Sequence, residues 1–234
     1  MRELATYALE SIACSGIMLL LYKILMEQRV DFRICRIYLH AALIISAIIP
    51  LLDIPVWEAE VVYIQSQANM LPVETAPVEM ATIKMEAPRS IDLRPVVWGI
   101  YMLGVAISLI LMLIQLRRIS RLASRGEIIR PSNPRIIRAA ENISSFSFFG
   151  TIYVGRDSTD HDVESIMIHE CSHIRHNHSA ERVAMELLCS LMWWNPFSWI
   201  ARRHLMEVHE YEADADVLKS GYDVSIYIQT ILKS

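Results

Sequence analysis

The chain lacks a paired cysteine framework. It has only four cysteines, and no two of them have C-x-x-C spacing: Cys14, Cys35, Cys171 and Cys189. This pattern argues against disulfide stapling and predicts free thiols in a reducing compartment. Excess charge is also scarce, because the formal net charge of the 234 residues is only −4. No basic surface therefore argues for direct binding to nucleic acid.

Long apolar runs, in contrast, are abundant. Hydrophobic residues make up 53% of the chain and the mean hydropathy is positive, which is typical of a protein partly immersed in lipid. Three runs, residues 4–26, 37–54 and 96–116, approach the ~20 residues that cross ~30 Å of hydrocarbon. The sequence therefore predicts a mainly α protein with a multi-span transmembrane helical bundle in residues 1–117 and a loop at 55–95.

The distribution of arginine predicts the direction in which these runs cross the membrane. Arginines cluster in residues 29–36, between the first two runs, and again in residues 117–130, after the third run. Positively charged residues near membrane ends stay in the cytoplasm. In the loop at 55–95, acidic residues outnumber basic ones. We therefore expect the N-terminus and this loop to lie outside. A basic cytoplasmic linker, residues 118–134, then leads into a cytoplasmic catalytic domain, residues 135–234.

The stretch from His169 to His173 reads H-E-x-x-H. Residues four apart share one face of a helix, so His169 and His173 can offer two imidazoles to one ion. Glu170 lies beside them, placed to hold a water that the ion polarises, and we predict that it is the catalytic base. Glu210 is the predicted third ligand, and Asp214, one turn further on, can fix the tautomer of a ligand histidine. Two histidines, one carboxylate and an open position for water are the ligand set of a catalytic Zn²⁺.

Other residues near the motif receive more ordinary interpretations. His176 and His178 are expected to lie at a solvated helix end or to contact a metal-ligand residue, rather than to bind the metal themselves. Cys171 is expected to pack in the interior. Residues 159–162 have the form of a capping box that opens the motif helix. Three acids on the third-ligand helix are interpreted as solvated charges, the last two facing away from Glu210: Glu207, Glu212 and Asp216.

Two apolar segments flank the motif. Residues 146–154 are aromatic and β-branched and predict a strand or hairpin, which is either a substrate-binding edge strand or a structural element. Residues 183–200 are apolar but contain Asn195-Pro196. A single membrane crossing there would separate His169 from Glu210. We therefore expect two packed or interfacial helices with a break at this dipeptide.

The motifs as a set resemble the BlaR/MecR-type integral-membrane zinc metallopeptidases, the antibiotic-sensor signal transducers of bacteria, in a branch common in Bacteroidetes-like genomes. The resemblance covers nearly the whole chain. It is carried by the zinc motif with Ile174, by Glu186, and by the segments His178-Ser179, Trp194-Asn195-Pro196-Phe197-x-Trp199, His209-Glu210-Tyr211-x-Ala213-Asp214 and Phe146-Ser147-Phe148.

The resemblance implies a multi-pass protein of the bacterial cytoplasmic (inner) membrane with a gluzincin-type α+β zinc protease domain. Its expected partners are the lipid membrane and a protein substrate, either a transcriptional repressor or the chain itself; the oligomeric state stays open. The family continues into a fourth membrane helix, so we expect this chain to stop short of it. No S-x-x-K motif is present, and β-lactam sensing is not assigned.

Two other functions stay open at the level of sequence. One is a non-proteolytic membrane receptor or scaffold with a structural zinc site, against which the intact Glu170 argues. The other is a housekeeping membrane protease of the Ste24/HtpX type, which has the same ligands. The arginine-rich loops and the W-N-P segment favour the sensor type.

Overall fold

Three long apolar helices begin the chain in the computed structural model, which describes residues 2–27, 29–52, 93–157 and 160–221. They are α1 (Arg2–Leu21), which runs into a π-helical turn (Tyr22–Met26), α2 (Phe32–Ile48), which ends in a 3-10 turn (Ile49–Leu51), and α3 (Arg94–Arg125). Each is long and apolar enough to cross a membrane. The predicted loop at 55–95 lies almost wholly outside the described residues.

The outer surfaces of these helices are apolar and exposed. In α3 the one buried side chain is that of Val105, while α1 and α2 expose residues such as Leu9, Ile17 and Ile37. Exposed apolar surface of this extent is costly in water and is expected against lipid. Together the three helices suggest a membrane protein.

A small mixed sheet follows α3. Its strands are β1 (Glu127–Arg130), β2 (Arg135–Arg138), β3 (Phe146–Phe148) and β4 (Thr151–Val154), in the order β1-β2-β4-β3. Strands β2 and β4 are parallel, and the other two pairings are antiparallel. The segment 118–134, predicted as a linker, contains the C-terminal end of α3 and strand β1.

The predicted hairpin over residues 146–154 is confirmed by β3 and β4. The two strands are joined by Phe149 and Gly150, both of which have positive φ, 40° and 78°. A two-residue turn with positive φ at both positions matches the right-handed twist of paired strands. Gly150 supplies that conformation without strain, and the amide of Phe149 donates a hydrogen bond to Ser179 Oγ at 3.2 Å.

Three helices complete the described part of the chain: α4 (Asp160–Arg175), α5 (His178–Leu191) and α6 (Pro196–Lys219). Asn177, in the left-handed region with φ 58°, separates α4 from α5. Asn195 begins α6, where its Oδ1 accepts from Phe197 N at 3.0 Å and Pro196 occupies the first turn. The predicted break at Asn195-Pro196 is confirmed. The capping-box residue Thr159 and the chain after residue 221 lie outside the described residues.

Helices α5 and α6 form a hairpin that packs along the apolar helices. Its core joins Leu39 and Leu43 of α2 with Met185 of α5 and Leu205 of α6, all of them fully buried. Buried apolar contact over this length holds the hairpin firmly to α1 and α2. The reversal also lets α6 return to α4, where the predicted zinc ligands lie.

The tip of this hairpin contacts α1 and the N-terminal half of α3. Asn195 Nδ2 donates to Ser15 Oγ at 3.0 Å, and Trp193 Nε1 donates to the carbonyl of Tyr101 at 3.3 Å. Trp194 lies 6.2 Å from Tyr7, between ring centroids. Helix α5 rises 1.5 Å per residue, so this tip lies about 20 Å along the helix from His178.

Candidate metal and active site

Helix α4 is anchored to the sheet by one face and presents its histidines from another. Met167, Cys171 and Ile174, spaced for one helix stripe, pack against the buried core of β2 and β4. The prediction that Cys171 is a packing residue is confirmed. His169 and His173 therefore project from a helix whose rotation about its axis is fixed.

The three predicted ligand residues meet at one point. His169 Nε2 lies 3.1 Å from His173 Nε2 and 3.4 Å from Glu210 Oε2, and His173 Nε2 lies 3.8 Å from Glu210 Oε1. Tetrahedral zinc with bonds of 2.0–2.1 Å keeps its ligand atoms about 3.3 Å apart. The separations and the two-nitrogen, one-oxygen donor set fit a zinc ion.

The outward nitrogens of both histidines are held by further side chains. His169 Nδ1 lies 3.2 Å from Asp214 Oδ1, and His173 Nδ1 lies 2.7 Å from His178 Nδ1. Such contacts fix ring orientation and leave each Nε2 lone pair facing the metal position. Asp214 lies where the sequence predicts it, and His178 contacts a ligand histidine rather than joining the donor group.

The electrostatics of the site depend on burial and on Glu210. Burial lowers the pKa of His173 to about 4, so its imidazole is neutral at physiological pH, as a metal ligand must be. Burial also acts to lower the pKa of His169, but the hydrogen bond to Glu210 and the nearby carboxylates outweigh it and raise that pKa. The hydrogen bond from His169 in turn lowers the pKa of Glu210.

Glu170 is the buried carboxylate beside the donors. It is 5% exposed, and its Oε2 has no hydrogen-bond partner among the described residues. Burial raises the pKa of Glu170, an effect that the Ser147 hydroxyl and the charge of His169 partly oppose. A buried carboxylate of raised basicity that lines a cleft and has one oxygen without a hydrogen bond among the described residues is suited to accept and return a proton.

A cavity of about 250 Å³ opens over this centre. Besides the four site residues it is lined by Ser145, Phe146, Ser147, His178, Ser179 and Arg182. Strand β3 lies at the edge of the described sheet and forms one wall. A neighbouring cavity of about 230 Å³ shares Phe146, Ser147 and Arg182 and is otherwise largely apolar, with Met112, Leu116 and Ile119 of α3 in its lining. The cleft thus extends from the metal centre to α3.

The interpretation of Glu212 and Asp216 as solvated charges is wrong. Glu212 is 7% exposed, and its Oε2 accepts from His178 Nε2 at 3.0 Å. Asp216 Oδ2 accepts from Ser172 Oγ at 2.7 Å and from His176 Nε2 at 3.0 Å. Helix α6 is covered on this side by the junction of α4 and α5, so the acids two and six residues after Glu210 face histidines rather than solvent.

Sequence reasoning missed three residues near the site: Arg36 and His209, which are buried, and Glu181, which is partly buried. Arg36 was counted only as a positive charge near a membrane end. In the structure its Nη1 donates to Glu181 Oε1 at 2.9 Å, and its Nε lies 3.2 Å from Glu212 Oε2. His209 Nε2 donates to Glu181 Oε2 at 2.8 Å, and its ring stacks on that of His178 at 4.0 Å. An arginine beginning an apolar helix and a histidine beside the third ligand were the available signals.

A second group of potential donors is formed by Glu27, His204 and Glu207. Here His204 Nδ1 and Glu207 Oε2 make a hydrogen bond of 3.0 Å within one turn of α6. This hydrogen bond explains why the two side chains lie close together without a bound ion. This group also has no counterpart of Glu170 among the described residues, and we assign the chemistry to the first group.

Fold and site together define a metallopeptidase-type centre: two histidines one helical turn apart, a carboxylate from a second helix, and a buried glutamate beside a cleft at a sheet edge. Residues 133–230 match the model of peptidase family M48. The match covers strands β2, β3 and β4 and the site helices, somewhat less than half of the chain. This part of the chain is therefore similar to metallopeptidases of that family. No curated protein matches the chain.

Proposed function

We propose that the protein is a membrane-anchored, zinc-dependent metalloendopeptidase that cleaves a cytoplasmic protein, itself, or both, in transmembrane signalling. One observation carries the proposal: the meeting of His169, His173 and Glu210 beside the buried Glu170. The M48 match to the same segment and the three apolar helices support it.

The residues of the site divide the chemistry of peptide hydrolysis. Zinc, when bound, polarises a peptide carbonyl and lowers the pKa of a water molecule. Glu170 would accept the proton of the attacking water on its carboxylate and later deliver it to the leaving amine. Asp214 and His178 hold the rings of His169 and His173 in the tautomers that this arrangement needs.

Substrate would bind in an extended form along β3. This strand is at the edge of the described sheet and lines the cavity over the metal centre. An extended peptide added to it would bring successive carbonyls past Glu170 while main-chain hydrogen bonds supply affinity. The neighbouring cavity beside α3 offers space for an apolar substrate side chain.

The arginine distribution supports an inner-membrane protein with its N-terminus outside and its protease part in the cytoplasm. A cytoplasmic site would act on a cytoplasmic regulator such as a transcriptional repressor, in keeping with the BlaR/MecR-type resemblance. A structural zinc site in a receptor has no need of a buried carboxylate beside the metal ligands such as Glu170. A housekeeping protease would use the same site, and only the substrate distinguishes it.

The metal centre would lie at the cytoplasmic membrane surface, with the α5–α6 hairpin entering the bilayer and returning. The apolar residues that this hairpin exposes near its tip support this placement: Leu187, Leu191, Trp199 and Ile200. A movement of the membrane helices could then reach the cleft directly.

The proposal is tested first by metal content. Protein purified in detergent should hold about one zinc per chain, and His169→Ala should lose it. Proteomic comparison of cells carrying wild type and Glu170→Ala should then reveal new protein N-termini that depend on Glu170. Zinc retained in a His169→Ala, His173→Ala double variant, or identical proteomes from an expressed and folded pair, would exclude the assignment.

A further inference from the structure

Arg36 is a charged side chain buried inside a candidate membrane helix. It lies on α2, one turn after the helix begins, and is only 5% exposed. Its Nη1 donates to Glu181 Oε1 at 2.9 Å and to the carbonyl of His176 at 3.1 Å, while its Nε lies 3.2 Å from Glu212 Oε2. A buried guanidinium needs such partners, because desolvating an unpaired charge is very costly. Arg36 is therefore held between the two carboxylates, by a hydrogen bond to Glu181 and by a charge contact without hydrogen-bond geometry to Glu212.

Glu212 connects this ion pair to the metal centre. The oxygen that faces Arg36, Oε2, also lies 3.0 Å from His178 Nε2. A carboxylate can only accept, so His178 must carry its proton on Nε2, and its Nδ1 must present a lone pair. That Nδ1 lies 2.7 Å from Nδ1 of His173, which must then be the donor. The only lone pair left on the His173 ring is at Nε2, the atom in the donor group.

A second path from Arg36 holds the same histidine in place. Glu181 accepts from Arg36 through Oε1 and from His209 Nε2 through Oε2, at 2.8 Å. The ring of His209 stacks on that of His178, with centroids 4.0 Å apart and an angle of 12°. The guanidinium of Arg36 thus positions Glu212, which accepts a hydrogen bond from His178. Through Glu181 it also positions His209, which stacks on the ring of His178.

We propose that Arg36 is a positioning residue for the metal centre, acting through Glu212 and His178 on the tautomer and orientation of His173. The inference rests on the proposed metal site. It also gives the membrane part of the chain a physical connection to the protease: α2 carries Arg36, and a displacement of α2 would loosen the hold on a metal ligand without touching that ligand. Helix α2 is further tied to α5 by His40, whose Nε2 lies 3.2 Å from the carbonyl of Glu181.

The test measures zinc affinity by chelator competition and the visible absorption of Co²⁺ bound in place of zinc, using the full chain in detergent. Arg36→Lys keeps the charge but cannot span both carboxylates as the planar guanidinium does. We expect it to lower zinc affinity about 10–100-fold, the usual effect of losing a partner of a ligand histidine, and to change the Co²⁺ spectrum. Glu212→Gln should do the same and is the second variant if Arg36→Lys fails to fold.

A matched control separates positioning from general stability. Arg202→Lys alters another guanidinium–carboxylate pair, the 2.8 Å contact with Glu186 on the hairpin, which involves no ligand histidine. It should leave zinc affinity within about twofold of wild type whatever its effect on the melting temperature of the metal-free protein. Equal losses of affinity in Arg36→Lys and Arg202→Lys would overturn the inference.

The route through His178 is tested by a double-variant cycle. In a His178→Ala background, Arg36→Lys should cause little further loss of zinc affinity, because the connection is already cut. If Arg36→Lys lowers zinc affinity as much in the His178→Ala background as in the wild type, Arg36 does not position His173 through His178. Wild-type zinc affinity in folded Arg36→Lys and Glu212→Gln would also show that Arg36 does not position His173. If wild type itself binds no zinc, or His169→Ala keeps it, the proposed function fails instead.

Discussion

Glu170 differs from the three ligand residues in the contacts that it makes. His169, His173 and Glu210 point their donor atoms at one another, whereas Glu170 keeps one buried oxygen without a partner among the described residues. A ligand is needed for metal binding and a base is needed for turnover, so the two kinds of residue should fail differently when they are substituted.

Glu170→Gln should retain zinc and lose activity by about 10²–10⁴-fold, because the amide has nearly the same shape but cannot accept a proton. Activity is measured on a mixed fluorogenic peptide library and zinc by elemental analysis of the same samples. Glu207→Gln is the control, because Glu207 contacts His204 rather than the metal centre. Activity of Glu170→Gln within tenfold of wild type would contradict its role as base.

Residue spacing predicts the donors well and their surroundings poorly, for a physical reason. His169 and His173 are four apart on one helix, so local geometry alone brings them together. Glu210 and Asp214 repeat that spacing on a second helix. Arg36 and Glu181 are 145 positions apart, and their meeting depends on how α2 packs against α5, for which no local pattern exists.

At the scale of elements, close packing at the hairpin tip depends on glycine in α3. A Cβ on Gly104 would lie 2.2–2.6 Å from ring atoms of Trp193, whereas a Cβ on Gly99 of the same helix would meet nothing within 4 Å. The absence of a side chain at Gly104 is what lets the indole reach the carbonyl of Tyr101.

Gly104→Ala should therefore destabilise the folded protein by about 1–3 kcal/mol, the usual cost of overpacking. Gly99→Ala should be neutral or slightly stabilising, because alanine favours helix over glycine. Denaturation of both variants in the same detergent measures the difference. A Gly104→Ala protein as stable as Gly99→Ala would mean that Trp193 does not pack against α3 as described.

Helix boundaries also show what the sequence could determine. The hairpin over 146–154 and the break at Asn195-Pro196 were predictable because turn and cap residues act locally. The third apolar helix, in contrast, was expected to end at 116 and continues to Arg125. The arginines that end the hydrophobic run are good helix formers, so the apolar pattern stops before the helix does.

For the molecule as a whole, the arginine distribution predicts one topology. The N-terminus and residues 55–95 are expected outside, and the segment after α3 inside. Single cysteines are introduced at Ser66 and Ser132 in a background without the native cysteines. The cysteine at 66 should react with a membrane-impermeant maleimide in intact cells. The cysteine at 132 should react only after the membrane is permeabilised. Ser132 is exposed, so its protection in intact cells would reflect the membrane. Labelling of Ser132 from outside would reverse the scheme.

The tip of the α5–α6 hairpin is predicted to lie in lipid and its start in water. Leu191 at the tip of α5 is 52% exposed in the protein, and Ala180 near the start of the same helix is exposed as well. If the hairpin enters the bilayer, lipid rather than protein covers Leu191, while Ala180 stays near the cytoplasmic surface. In inverted membrane vesicles, Ala180→Cys should react readily with a polar maleimide and Leu191→Cys should resist until detergent is added. Equal labelling at both positions would place the whole hairpin in water. The zinc centre would then lie clear of the membrane surface, and the coupling of α2 to the metal would have to act through the protein alone.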